Sequence, residues 1–163
     1  MVAEAHSGRC TCGAVTYRIM AAPIFVNCCH CTWCQRETGS AFAINAMIEA
    51  DRVEVMSGAP EQVLTPSNSG KGQRIWRCPS CRVALWSNYP GAGPSINFVR
   101  VGTLEAPHPF VPGAHIFTST KVAWVVVPEG VPSFAEFYDA ATMWSADGLA
   151  RFKAARSKHV AAG

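Results

Sequence analysis

Apolar residues alternate with polar ones at Val15, Tyr17 and Ile19, and again at Phe42, Ile44, Ala46 and Ile48. A period of two is the mark of a strand with one buried face. Further β-rich runs follow at Arg74–Cys78, Val83–Ser87, Ile96–Val101, His115–Ser119 and Ala123–Val127, which makes Trp86 and Trp124 candidate core residues. Gly and Pro punctuate the gaps, including Gly91, Gly93, Pro94, Pro107, Pro109, Pro112 and Gly113, as expected where strands must turn back on one another. From Ser133 the period changes. Phe134, Phe137, Ala141 and Trp144 recur at helical spacing, and Ser145 with Asp147 looks like a fresh helix start. The pattern predicts a mainly β chain with a helical tail, whose Arg151, Lys153, Arg156 and Lys158 read as a solvated face.

The chain has 163 residues, enough for one domain with a real core and too few for two ordinary ones. Only 15% of the residues are charged and nearly half are apolar, so a disordered chain is excluded. The first ten residues lack an apolar segment of signal-peptide length, and the longest apolar run, Val122–Val127, is far shorter than a membrane span. A cytoplasmic protein is the expectation, with no membrane partner. Gly70-Lys71-Gly72 in the polar loop Thr65–Gly72 lacks the spacing and following Ser/Thr of a phosphate-binding loop.

Eight cysteines change the picture. Cys10-x-Cys12, Cys29-x-Cys31-x-x-Cys34 and Cys78-x-x-Cys81 have spacings suited to a shared metal rather than to internal disulfides. Cys78 and Cys81 sit between two expected strands, as in a zinc knuckle, and with Cys10 and Cys12 they can make a closed four-thiolate site, although spacing alone does not say which pair joins which. Cys29, Cys31 and Cys34 supply three ligands from one short turn. Cys28 and His30 are poorly placed to add a fourth, because adjacent side chains leave the backbone in diverging directions. Three protein ligands and a vacancy is the pattern of a catalytic zinc. The alternative is a structural site completed by a distant residue such as His115 or Asp139. The formal charge of +3 counts thiols as neutral; seven thiolates on two zinc ions bring the chain near neutrality, which removes the charge argument for a nucleic-acid partner. Three thiolates leave a zinc site of net charge −1 that is a poor activator of water and a better host for a fourth thiolate or a carbonyl oxygen.

The stretches Gly8–Tyr17, Cys29–Phe42, Arg77–Cys81, Val101–Pro107 and His115–Val125, taken in order, resemble the successive signatures of the glutathione-dependent formaldehyde-activating (GFA) family. The resemblance covers about Gly8 to Phe134. It implies an Mss4-like, or β-tent, fold of antiparallel sheets stapled by two Zn²⁺ per chain. Cys10, Cys12, Cys78 and Cys81 would then hold a structural zinc, and Cys29, Cys31 and Cys34 a catalytic one. Residues 1–134 would form the zinc domain, with 135–163 a helical extension packed on it. The implied activity is that of a carbon–sulfur lyase or synthase acting on a thiol–aldehyde adduct such as S-hydroxymethylglutathione. Arg36, Lys71, Arg74 and Lys121 are candidate contacts to an acidic thiol, and Trp33 a candidate wall of the cleft. One departure is Arg82, standing where the family commonly has a Gly that permits positive φ. Two other classes stay open: a zinc-stapled binding module without catalysis, and a redox enzyme using Cys28 or Cys34 as nucleophile. The oligomeric state and the role of Cys28 are not legible.

Overall fold

The computed structural model describes residues 5–105 and 110–161, and side chains as far as Lys158. Pro107, Pro109 and the last two residues of the Val101–Pro107 signature lie outside the described residues.

Among the described residues ten strands form two sheets. β1 (His6–Arg9), β2 (Thr16–Ile19) and β5 (Val53–Ser57) make a three-stranded sheet in the order β1-β2-β5. The larger sheet contains β3 (Phe25–Cys29), β4 (Ala43–Glu49), β6 (Glu61–Thr65), β7 (Gln73–Arg77), β8 (Ala84–Asn88), β9 (Ile96–Arg100) and β10 (Ala114–Ile116), in the order β10-β3-β4-β9-β8-β7-β6. Its pairs are antiparallel except β3 with the short edge strand β10, which run parallel. The mainly β reading holds, and the alternation in β2 and β4 is that of buried faces: Tyr17, Ile19, Ala46 and Ile48 are all buried.

The large sheet separates two apolar clusters. On one side Val26, Ala46 and Val99 pack with Tyr17, Ile19, Leu85, Trp86, Cys10 and Cys78. On the other, Met47, Ala43 and Ile96 pack with Cys29, Cys31, Cys34 and the aromatic residues Tyr138 and Trp144. Helix α1 (Thr32–Thr38) follows β3 directly, and α2 (Ala140–Met143) and α3 (Ala146–Ala161) close the chain. α3 starts where Ser145 and Asp147 suggested, with the Gly148 N–H donating to Ser145 Oγ at 3.0 Å. Arg151 of α3 donates to both carboxylate oxygens of Glu49 on β4, at 2.8 and 2.7 Å, and to the Ala22 carbonyl at 2.9 Å. Phe152 meets Trp144 edge-on, so the helix covers the second cluster.

Three expectations fail. Arg151, expected on a solvated face, instead pairs with the buried Glu49. The run Ala123–Val127 is not a strand: Val125 N–H bonds back to the Val122 carbonyl, the Lys121 ammonium donates to the carbonyls of both, and Trp124 is 76% exposed rather than in the core. The helical spacing from Phe134 to Trp144 yields only the four residues of α2. Backbone groups of Phe134, Ala135 and Glu136 are bonded to the segment His115–Ser119, and a peptide group engaged there cannot serve a helix.

Candidate metal centre

The structure brings the cysteines together in the sets that spacing suggested. Cys10, Cys12, Cys78 and Cys81 converge so that their sulfurs lie within 4.8 Å of one another. Cys10 and Cys12 come from the turn between β1 and β2, and Cys78 and Cys81 from the turn between β7 and β8. Cys12 Sγ stands 3.6 Å from Cys10 Sγ and 3.7 Å from Cys78 Sγ. Zinc–sulfur bonds of about 2.3 Å in a tetrahedron put sulfurs about 3.8 Å apart, so the four side chains fit a zinc ion. Backbone N–H groups point at the sulfurs: Val15 N–H donates to Cys10 Sγ at 3.3 Å. N–H donors from Cys12 and Val83 pull the Cys81 thiol down to about 6, toward the thiolate a metal needs. In the same turn Arg82 has φ 62°, the left-handed conformation that the missing Gly would have taken at less cost.

The second set is local. Cys29 is the last residue of β3, Cys31 caps α1, and Cys34 lies in its first turn, so the three cysteines span a strand end and a helix start rather than one turn. Their sulfurs also lie within 4.8 Å of one another, and all three residues are buried. Cys34 N–H donates to Cys31 Sγ at 3.3 Å. Bonding to the Cys29 and then the Cys34 sulfur lowers the Cys31 thiol, while the same contacts, Cys31 first, push the Cys29 thiol far up. Three sulfurs so close share their protons unless a cation replaces them. The loop is held from outside: the Gln35 side-chain amide donates to the His30 and Thr120 carbonyls at 2.8 and 3.0 Å, and Thr120 Oγ1 donates to the His30 carbonyl at 3.1 Å.

Among the described residues no fourth protein donor joins Cys29, Cys31 and Cys34. Asp139 is occupied capping α2, accepting from Ala141 N–H at 2.9 Å. His115 belongs elsewhere, with Cys28 and His30. Cys28 is 1% exposed and burial pushes its thiol up to about 12, the reverse of an activated nucleophile.

The structure opens two cavities; Cys81 lines the larger of them, and none of Cys29, Cys31 and Cys34 lines either. One, of about 490 Å³, lies between α1 and the knuckle turn and is lined by Glu37, Thr38, Phe42, Ala43, Arg77 and Arg100 among others. Glu37 and Arg77 form an ion pair there. Arg100, which sequence reasoning missed, is 6% exposed; it donates to Asn45 Oδ1 and, at 3.0 Å, to Ser87 Oγ, while its Nε has no partner. Its charge reaches Cys34. Nothing local in the run Ile96–Val101 set it apart from a solvent-facing cation. The other cavity, of about 380 Å³, is lined by Lys71, Arg74 and Arg156 with Tyr89 and Ala92 at its inner side. Ala92 packs in the apolar cluster of the three cysteines, and the Tyr89 phenol feels the charges of Arg100, Cys34 and Cys29. Of the candidate cations, Lys71 and Arg74 thus share a cavity, Arg36 is exposed on α1, and Lys121 is engaged by backbone carbonyls. Trp33 is 39% exposed and lines neither cavity.

The sequence profile of the family described as "Glutathione-dependent formaldehyde-activating enzyme" matches residues 5–120. A Halomonas elongata protein, whose name gives it provisionally as a glutathione-dependent formaldehyde-activating enzyme, is 28% identical over 126 residues, covering 74% of this chain and 79% of its own. The crystal structure of a Rhodobacter sphaeroides protein aligns at 25% identity with a TM-score of 0.48, covering 65% of this chain and 97% of that one.

Proposed function

The chain belongs to the glutathione-dependent formaldehyde-activating family, and from that premise we propose that it is a zinc-dependent carbon–sulfur lyase or synthase acting on an adduct of a thiol and an aldehyde, of the S-hydroxymethylglutathione kind. The observation that carries the reading is the buried convergence of Cys29, Cys31 and Cys34 with no fourth protein donor among the described residues. In this reading Cys10, Cys12, Cys78 and Cys81 hold a structural zinc, and the three-cysteine group holds the second ion. A zinc ion there supplies a Lewis-acidic position for a thiolate sulfur or a carbonyl oxygen.

The chain's own groups do the rest. Three converging sulfurs would hold the ion, and a thiol and an aldehyde brought to it would be kept close to one another, which favours their addition. Arg100, buried behind Cys34, offsets the negative charge that three thiolates on a divalent ion leave behind. Lys71, Arg74 and Arg156 give the smaller cavity a cationic lining suited to the carboxylates of an acidic thiol such as glutathione. In this reading residues 1–134 carry both metal sites, and the segment 135–163 is an extension packed on them that adds Arg156 to the substrate lining.

NMR exchange measurement of formaldehyde with a panel of low-molecular-weight thiols tests the reading. Faster exchange for one thiol, abolished when Cys31 is replaced, is the expected result. Equal rates with and without the protein for every thiol and adduct would leave a zinc-stapled binding module.

A further inference from the structure

Successive residues of an extended chain face opposite sides, and Cys28 to Cys31 run extended from the end of β3 to the cap of α1. Cys29 and Cys31 join Cys34 on one side. Cys28 and His30 face the other, where His115 meets them, because it is directly opposite Cys28 in the parallel β3–β10 pair. The Cys28 sulfur and one ring nitrogen each of His30 and His115 lie within 4.8 Å of one another. Cys28 Sγ is 3.6 Å from His30 Nε2, which is 2.8 Å from His115 Nδ1. All three residues are at most 7% exposed. The proposed lyase chemistry uses none of them.

We propose that Cys28, His30 and His115 form a third metal site, a three-coordinate one that takes monovalent copper. One thiolate and two imidazoles form the trigonal sulfur and nitrogen set that copper accepts. Charge decides between copper(I) and zinc. A single thiolate cancels a single positive charge, leaving a neutral site in a buried place. A divalent ion would leave a net positive charge there, which is costly to bury. Nor is there a fourth donor among the described residues to complete a tetrahedron.

The geometry agrees with a site at rest. With bonds of about 2.0 Å to nitrogen and 2.3 Å to sulfur, a trigonal ion sets sulfur and nitrogen roughly 3.7 Å apart and the two nitrogens about 3.5 Å apart. The first separation is already present between Cys28 and His30. The second requires the rings to part by about 0.7 Å, which exchanges their mutual hydrogen bond for two bonds to the ion. His115 rides on a three-residue strand at the sheet edge, the element best able to yield. His30 Nδ1 is buried with no partner; the polar contacts of the ring are all at Nε2, toward the cluster.

Anaerobic titration of the protein as isolated with copper(I), against a competing copper(I) chelator, tests the site, with copper and zinc counted per chain and copper K-edge absorption recorded at the first equivalent. One copper per chain, bound without release of zinc and with a shell of one sulfur and two nitrogens, is expected. Cys28→Ser and His115→Ala should each weaken that equivalent at least ~100-fold while zinc content and any formaldehyde–thiol exchange stay as in the parent. Circular dichroism identifies a variant that fails to fold, in which case the other variant decides. An all-sulfur shell with matching zinc loss, or copper binding unchanged in a folded variant, overturns the proposal. Since the readouts are metal content and scattering shell, a failure here is separate from a failure of the lyase reading.

Discussion

The two cysteine groups differ in how much chain they tie together. Cys12 and Cys78 are 66 residues apart in sequence, and the group they belong to fastens the turn before β2 to the turn after β7. Cys29 to Cys34 fall within six consecutive residues, whose backbone is already set by β3 and α1. Closing a long loop restrains the unfolded chain far more than closing a short one, and a metal site absent from the unfolded state contributes its binding free energy to folding. The distant group is therefore placed to stabilise, and the local group is free to be reactive. Burial differs too: in the distant group Cys10 and Cys78 are buried while Cys12 is exposed and Cys81 half-buried, whereas all three local cysteines are buried.

Breaking the distant group should have the largest effect. Cys78→Ser is expected to lose one zinc and lower the thermal midpoint by more than about 10 °C, since each kcal/mol is worth about 2–4 °C in a chain of this size. Calorimetry with metal analysis reads both. Cys31→Ser should leave that midpoint within about 5 °C while formaldehyde–thiol exchange falls at least ~100-fold, more than is lost when only a ligand's supporting contact is removed. If the two variants were equally destabilised, the division of labour would be wrong.

Next in size is the clamp on the half of the molecule that holds the local group. Arg151→Ala leaves the buried Glu49 carboxylate uncompensated and should cost about 2–3 kcal/mol, the low end for a buried pair because the guanidinium keeps some solvent. Urea denaturation measures it, and Glu49→Gln in the same chain should recover part of the loss. Acid probes the same half. Burial first, then the charges of His115 and Lys121, lowers His30 from its usual 6.5 to about 4, so between those values the unfolded chain binds the extra proton. Burial alone would raise Glu49, but Arg151 pulls it below the usual carboxylate value, and it loses that partner on protonation. Both signs agree: stability should fall as pH drops from about 6.5 to about 4 and fall further below it. Urea midpoints across that range check the direction. The smallest effect belongs to Arg82→Gly, which relieves a positive φ in the knuckle at the loss of an exposed ion pair to Glu61. A gain of about 0.5–1 kcal/mol is expected, read as a higher urea midpoint.

The cysteine sets were legible because metal spacing is a local property, and so were β2 and β4 from their alternating apolar residues and β7 to β10 from their β-rich composition. The divergence of Cys28 from Cys29 was legible for the same reason. What completes the other side of that strand was not: His115 arrives through a parallel pairing 85 residues on, which no spacing encodes. Val122–Val127 has strand composition but no strand: its backbone turns on itself and its carbonyls bond to Lys121. Arg100 was passed over because a cation inside a strand reads as solvent-facing, and only the register Asn45 to Arg100 shows that it points inward.

The run from Cys28 to Cys31 interleaves two donor sets on a single backbone, as two texts might be written on alternate lines. Point substitution can edit either text alone. Gain or loss of one residue within the run would transpose them, sending sulfur where imidazole belonged, so natural variation here should proceed by exchange of letters and not by change of length.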